Sequence, residues 1–179
     1  QFVDASKMGA YRLELNWDVR SLYRLLVKRM ANAGIAELEA YLESVPGLLR
    51  TPVMGELGYM PEDSEEGYRL LAEKMIGKYM GKNAKKGASY TWIPNHIQDA
   101  NGQIAPRSFL KCFVFAAEDM LECENDISAL EDERILQPAR LQGAVARVSA
   151  DRVQELTQEE YQWLQNLIVR LDKKAMLME

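Results

Sequence analysis

From Pro106 to Leu121 the chain reads Pro-Arg-Ser-Phe-Leu-Lys-Cys-Phe-Val-Phe-Ala-Ala-Glu-Asp-Met-Leu, which has the period of a helix. Phe109, Leu110, Phe113, Val114, Ala116, Ala117, Met120 and Leu121 recur at three- and four-residue steps and cover more than half of a helical circumference. A helix so apolar belongs at the centre of a fold, touching neighbours on two sides, with Phe109, Phe113 and Ala117 in the core. Cys112 falls inside the run, where packing is its role. Pro106 suits the first helical position, since its φ is preset and its missing N–H would have no partner there. Arg107 then lands in the first turn, where the helix dipole disfavours a cation by about 0.3–1 kcal/mol. Two accounts fit it. A guanidinium at a helix N-terminus makes a corner for an anion such as phosphate. Alternatively, Arg107 lies in water or pairs with a carboxylate such as Asp99.

The rest of the chain is predicted to be mainly α. Tyr11 to Leu15 alternates apolar and polar residues over one short strand. A helix follows from about Trp17 to Ala33, stopped by Gly34, and a shorter one carries Ile35, Leu38, Tyr41 and Leu42. Residues 48–61 read as a loop with at most one helical turn. Asp63 with Glu66 marks the start of a helix that buries Tyr68, Leu71, Met75, Ile76 and Tyr79. Past the central helix, Pro138 opens another through Leu156, with a restart at Ser149. Thr157 with Glu160 has the form of a capping box for the last, which buries Tyr161, Leu164, Leu167, Ile168 and Leu171.

Composition narrows the functional classes. The chain has 179 residues, 47% hydrophobic and 27% charged, with a net charge of −5. That sign argues against nonspecific DNA binding and against anionic lipid, both of which need clustered Lys and Arg. Lys82, Lys85 and Lys86 form the one dense basic cluster, read as an exposed, mobile loop. No apolar run is long enough to span a bilayer. Cys112 and Cys123 stand eleven apart with only His96 to join them, a poor basis for a zinc site. Residues 118–133 hold eight carboxylates and no Lys or Arg, the pattern of a solvated face. Gly77 to Asn83 imitates a phosphate loop, but three residues separate its glycines, Asn83 replaces the Ser or Thr, and a helix precedes it. The chain is read as cytoplasmic and, since it opens on Gln1, as an excised fragment.

The stretch Tyr90-Thr91-Trp92-Ile93-Pro94-Asn95-His96, then Asp99 and Gly102, then Pro106-Arg107-Ser108-Phe109-Leu110, resembles the C-terminal region of large bacterial P-loop ATP-binding proteins of the ParA-like or AAA-like kind. Asp4-Ala5-Ser6-Lys7, Leu22 to Leu26 and the Tyr161-Gln162-Trp163 element are similar in the same order. The resemblance implies a helical lid-type bundle at residues 17–122, preceded at 1–16 by the end of an ATPase core and followed at 123–179 by a helical extension. It implies no activity and no cofactor in the chain itself, with ATP and Mg bound by the parent protein and the ATPase core as partner in cis. Arg107 would be a nucleotide-sensing arginine, and Tyr90 to Asn95 would shape a moving loop. Read from the residues alone, Tyr90 and Trp92 plug a loop or stack on a partner, and His96 hydrogen-bonds a loop. The competing class is a protein-interaction module, including self-association, in which Tyr90, Trp92, Asn95, His96 and Asp99 meet a partner and no nucleotide is sensed. A helical DNA-binding domain is the weaker third.

Overall fold

In the computed structural model, residues 16–48, 55–123, 127–130 and 133–175 are described. The strand expected at residues 11–15 lies outside them. The described residues are mainly helical: α1 (Val19–Ala31), α2 (Ala36–Glu43), α3 (Glu65–Ile76), α4 (Ser89–Ile97), α5 (Pro106–Leu121), α6 (Pro138–Glu155) and α7 (Gln162–Ala175), with no strand beyond an isolated bridge. Short 3-10 turns occupy Gly55–Leu57 and Ala84–Lys86.

Local chemistry sets the helix ends. The Asp18 carboxylate caps α1 by accepting from the Ser21 N–H at 2.7 Å, and Lys28 and Arg29 occupy its last turn, where cations are favoured. For α3 the cap is Ser64, whose Oγ accepts from the Gly67 N–H at 3.1 Å, and not Asp63 as the spacing to Glu66 suggested. Asp63 is drawn away into an ion pair with Arg20 of α1, which ties the two helix starts together.

One apolar core joins α1, α2, α3, α4, α5 and α6. Its middle is a run of rings: Tyr90 of α4 lies against Tyr23 of α1 (4.8 Å between centroids), Tyr23 meets Phe109 of α5 edge-on (5.2 Å), and Phe109 meets Phe113 (5.1 Å). Such pairs add about 0.5–1.5 kcal/mol each beyond area burial. The core continues past residue 123 into α6, which lays Leu141, Ala144, Val145 and Val148 against α5. Polar links flank that packing: Lys111 to Asp151 at 3.2 Å, and Arg147 to Asp119 at 3.5 Å with its guanidinium 4.0 Å from the Phe115 ring.

Several expectations need correction. α6 does not restart at Ser149; it is continuous, and the Ser149 hydroxyl donates to the Val145 carbonyl. Thr157 does not cap the last helix, because its hydroxyl donates back to Gln154 within a π turn at Leu156–Glu160. Of the residues expected to be buried by the last helix, Tyr161 (just before α7) and Leu167 are exposed, Leu164 and Ile168 are half-buried, and the Leu171 side chain lies outside the described residues. Tyr79 is half-buried, its place inside being taken by Met80. The acidic run is not wholly solvated, since Asp119 pairs with Arg147 and Glu133 with Lys74 at 2.7 Å. Ala117, expected in the core, is exposed along with Val114 and Leu121. Only one side of α5 is covered.

Replacing fully buried Phe109 with Ala is expected to cost about 3–5 kcal/mol, whereas Ala117→Ser stays within about 0.5 kcal/mol. Urea denaturation checks both, and equal losses would mean that the buried face of α5 is misassigned. A second expectation concerns acid. Hydrogen bonds from Ser21 hold the Asp18 carboxyl below the usual carboxylate range. Its stabilisation is therefore present above about pH 4 and fades as pH falls through its lowered value. Asp18→Asn keeps a capping oxygen but cannot titrate, so its stability should fall less than that of the parent chain between about pH 4 and 2. Thermal melts across that range provide the comparison.

Candidate functional site

The segment from Tyr90 to Asn95 is not a loop. It is helical within α4, with Pro94 inside the helix and buried. Proline there forfeits one N–H bond and costs about 3 kcal/mol in an ordinary helix interior. α4 bears that cost because Tyr90 and Ile93 are locked in the core. Tyr90 is thus a core residue, and burial pushes its phenol up to about 12. Among the described residues neither its hydroxyl nor that of Tyr23 has a hydrogen-bond partner.

Asn95 and His96 are exposed on α4, and Trp92 is half-buried against the core. The Trp92 and His96 rings stack at 3.9 Å, and His96 Nδ1 lies 2.7 Å from the Trp92 carbonyl, to which it donates. Trp92 also lies close to Gly87, which ends the turn that follows the Gly77–Asn83 segment. The loop they form is closed on itself: Met80 N–H donates to Gly87 O at 2.9 Å, Ser89 N–H to Lys78 O at 3.2 Å, and Asn83 caps the turn through Lys85 N–H. The amides of Met80, Lys85, Lys86 and Gly87 are used in this closure, while the side chains of Lys82, Lys85 and Lys86 stay exposed. Asn95 is exposed, with no side-chain hydrogen bond among the described residues.

Asp99 does not pair with Arg107. Its carboxylate accepts from the N–H groups of Asn101 and Gln103, both at 2.8 Å, and closes the turn between α4 and α5. His96 and Asp99 line a groove of about 630 Å³ with Trp17, Ser108, Arg152 and Tyr161. Arg107 is turned to a different place. It lines a shallow groove of about 520 Å³ between α1 and α5, with Leu26, Leu110 and Phe113 as its floor and Arg29 and Lys111 beside it. Lys111 is held by Asp151, but Arg107 and Arg29 are exposed and have no hydrogen bond or ion pair among the described residues. The residues that the sequence groups together therefore separate into a core tyrosine, a Trp–His stack, a turn-closing aspartate and a solvent-facing arginine. Arg29 was missed by the sequence reading. A Lys-Arg pair in the last turn of α1 reads as dipole complementarity, and nothing local tells that α5 brings Arg107 to the same groove.

Among the described residues there is no group of three His, Cys, Asp or Glu arranged to hold a metal, and no helix long and apolar enough to cross a membrane. Cys112 is buried, and desolvation pushes its thiol up to about 12, where it has no nucleophilic character at neutral pH. No protein-family model matches the chain, and no curated protein or solved structure does so either.

Gly87 is the backbone constraint on this site. Its φ of +88° and ψ of 151° lie in a region essentially reserved for glycine, and an added Cβ would stand 2.9 Å from Trp92 Cδ1. Gly87→Ala should cost about 1–3 kcal/mol and shift Trp92 fluorescence, as read in a denaturation series. An unchanged midpoint would contradict the packing of Trp92 on this turn.

Proposed function

We propose that this chain is the non-catalytic lid and C-terminal extension of a P-loop ATPase, and that Arg107 is its contact to the nucleotide held by the ATPase core. The observation that carries this is the state of Arg107. It stands in the first turn of α5, exposed, on a helix whose N-cap residue Ala105 supplies no side-chain cap, and it makes no ion pair among the described residues. The fold gains nothing electrostatic from that guanidinium and bears a small dipole cost for it. An arginine retained against local energetics fits a ligand that comes from outside, and the resemblance in the Tyr90–Leu110 segment makes that ligand the γ-phosphate. A guanidinium there would stabilise charge as the phosphoryl group transfers and would couple nucleotide state to the position of the bundle. The Gly77–Asn83 segment supports a non-catalytic role, since it follows a helix and lacks both the glycine spacing and the Ser or Thr of a phosphate loop.

Arg107→Ala should leave the melting temperature of the 179-residue chain unchanged or slightly raised, while lowering turnover of the full-length ATPase about tenfold or more. Arg107→Lys should restore little, because the planar fork is lost. Calorimetry with Mg-ATP should show no micromolar binding by the chain alone. Micromolar affinity, or a destabilised variant beside an unimpaired ATPase, would overturn the proposal.

A further inference from the structure

The outer face of α5 is unfinished in a way that specifies what covers it. Leu110, Val114, Ala117 and Leu121 follow one another at steps of four, three and four residues, which places them in one stripe along the helix. Leu110 is half-buried at the groove, Val114 is 51% exposed, Ala117 is exposed and Leu121 is 75% exposed. Such spacing is that of a helix-pair seam. The opposite stripe, Phe109, Cys112, Phe113, Ala116 and Met120, already fills the core.

Charge along the seam is polarised. Arg107 stands at its N-terminal end, with Arg29 of α1 lining the same groove. Glu118 and Glu122 stand at its C-terminal end, exposed and without ion pairs among the described residues. We propose that a second copy of this chain covers the stripe, with the two α5 helices antiparallel about a two-fold axis near Val114 and Ala117. In that arrangement Leu110 of each copy meets Leu121 of the other, and Val114 meets Ala117. The small Ala117 allows close approach of the helix axes, within the usual 8–10 Å or so. Each Arg107 and Arg29 then faces the Glu118–Glu122 end of the other copy, and every contact occurs twice, as two-fold symmetry requires. A parallel pair would set Arg107 against Arg107 and Glu118 against Glu118, and the helix dipoles would also repel. The charge order thus selects one orientation. Because the chain carries −5 overall, self-association needs this local complementarity and weakens with added salt.

The inference goes beyond the lid function. Pairing and phosphate contact both draw on the Arg107 guanidinium, so they are alternative states of one face, and either survives failure of the other.

Sedimentation velocity on the 20.4 kDa chain, from low to high micromolar concentration, tests it. A concentration-dependent shift from monomer to dimer is expected, suppressed by high salt. Leu121→Lys and Val114→Lys alter exposed positions, so their circular dichroism should match the parent chain while the dissociation constant rises about tenfold or more. Arg107→Glu and Glu122→Arg should each weaken the dimer, and the double variant should recover it. A monomer at every concentration would overturn the proposal. So would a dimer indifferent to Leu121→Lys but lost in Trp163→Lys, which would put the contact on α7.

Discussion

The contact between Tyr23 and Phe109 fixes the rest of this bundle. It joins a helix from the first quarter of the described chain to the central helix, and it is extended by Tyr90 on one side and Phe113 on the other. Four rings from three helices leave little rotational freedom, so α1, α4 and α5 are set relative to one another by shape and not only by apolarity. The Tyr23 phenol is so far from water that its ionisation is pushed far above the ordinary tyrosine range. Both tyrosines remain neutral members of the core at physiological pH.

The orientation of α5 decides the character of the surface. With Phe109 and Phe113 inward and Phe115 turned toward Arg147 of α6, the remaining face carries Arg107, Val114, Ala117 and Leu121 outward. α6 then anchors the middle of α5 through Lys111 and Asp119. One rigid placement therefore produces both the solvent-facing guanidinium and the uncovered apolar stripe. These two features carry the functional proposals, and neither is adjacent to the Trp92–His96 pair that stands out in the sequence.

Much of the architecture was legible because helical periodicity is a strong local signal. The central helix begins at Pro106 as its φ preference requires, and Cys112 is in the core as its place in the apolar run implies. Pro94 and the polar residues around it read as a loop, yet Tyr90 and Ile93 bind that segment to the core strongly enough to keep it helical. Asp63 and Glu66 have the right spacing for a cap, but Arg20, distant in sequence, takes Asp63 and leaves the cap to Ser64. Val114 and Leu121 are indistinguishable from core residues by pattern, since periodicity reports an apolar face without saying whether the fold buries it. Arg107 was visible as an anomaly of the helix dipole. Its groove, and Arg29 within it, depend on tertiary packing that no local rule encodes.

The central claim is that Arg107 is presented to an anion outside its own fold. Arginine-selective modification by phenylglyoxal, followed by mass spectrometry on the full-length protein, tests this most directly. Arg107 should react freely without nucleotide and become protected when Mg-ATP is bound, while exposed Arg24 on α1 reacts equally in both states. Equal reactivity of Arg107 with and without Mg-ATP would contradict the account.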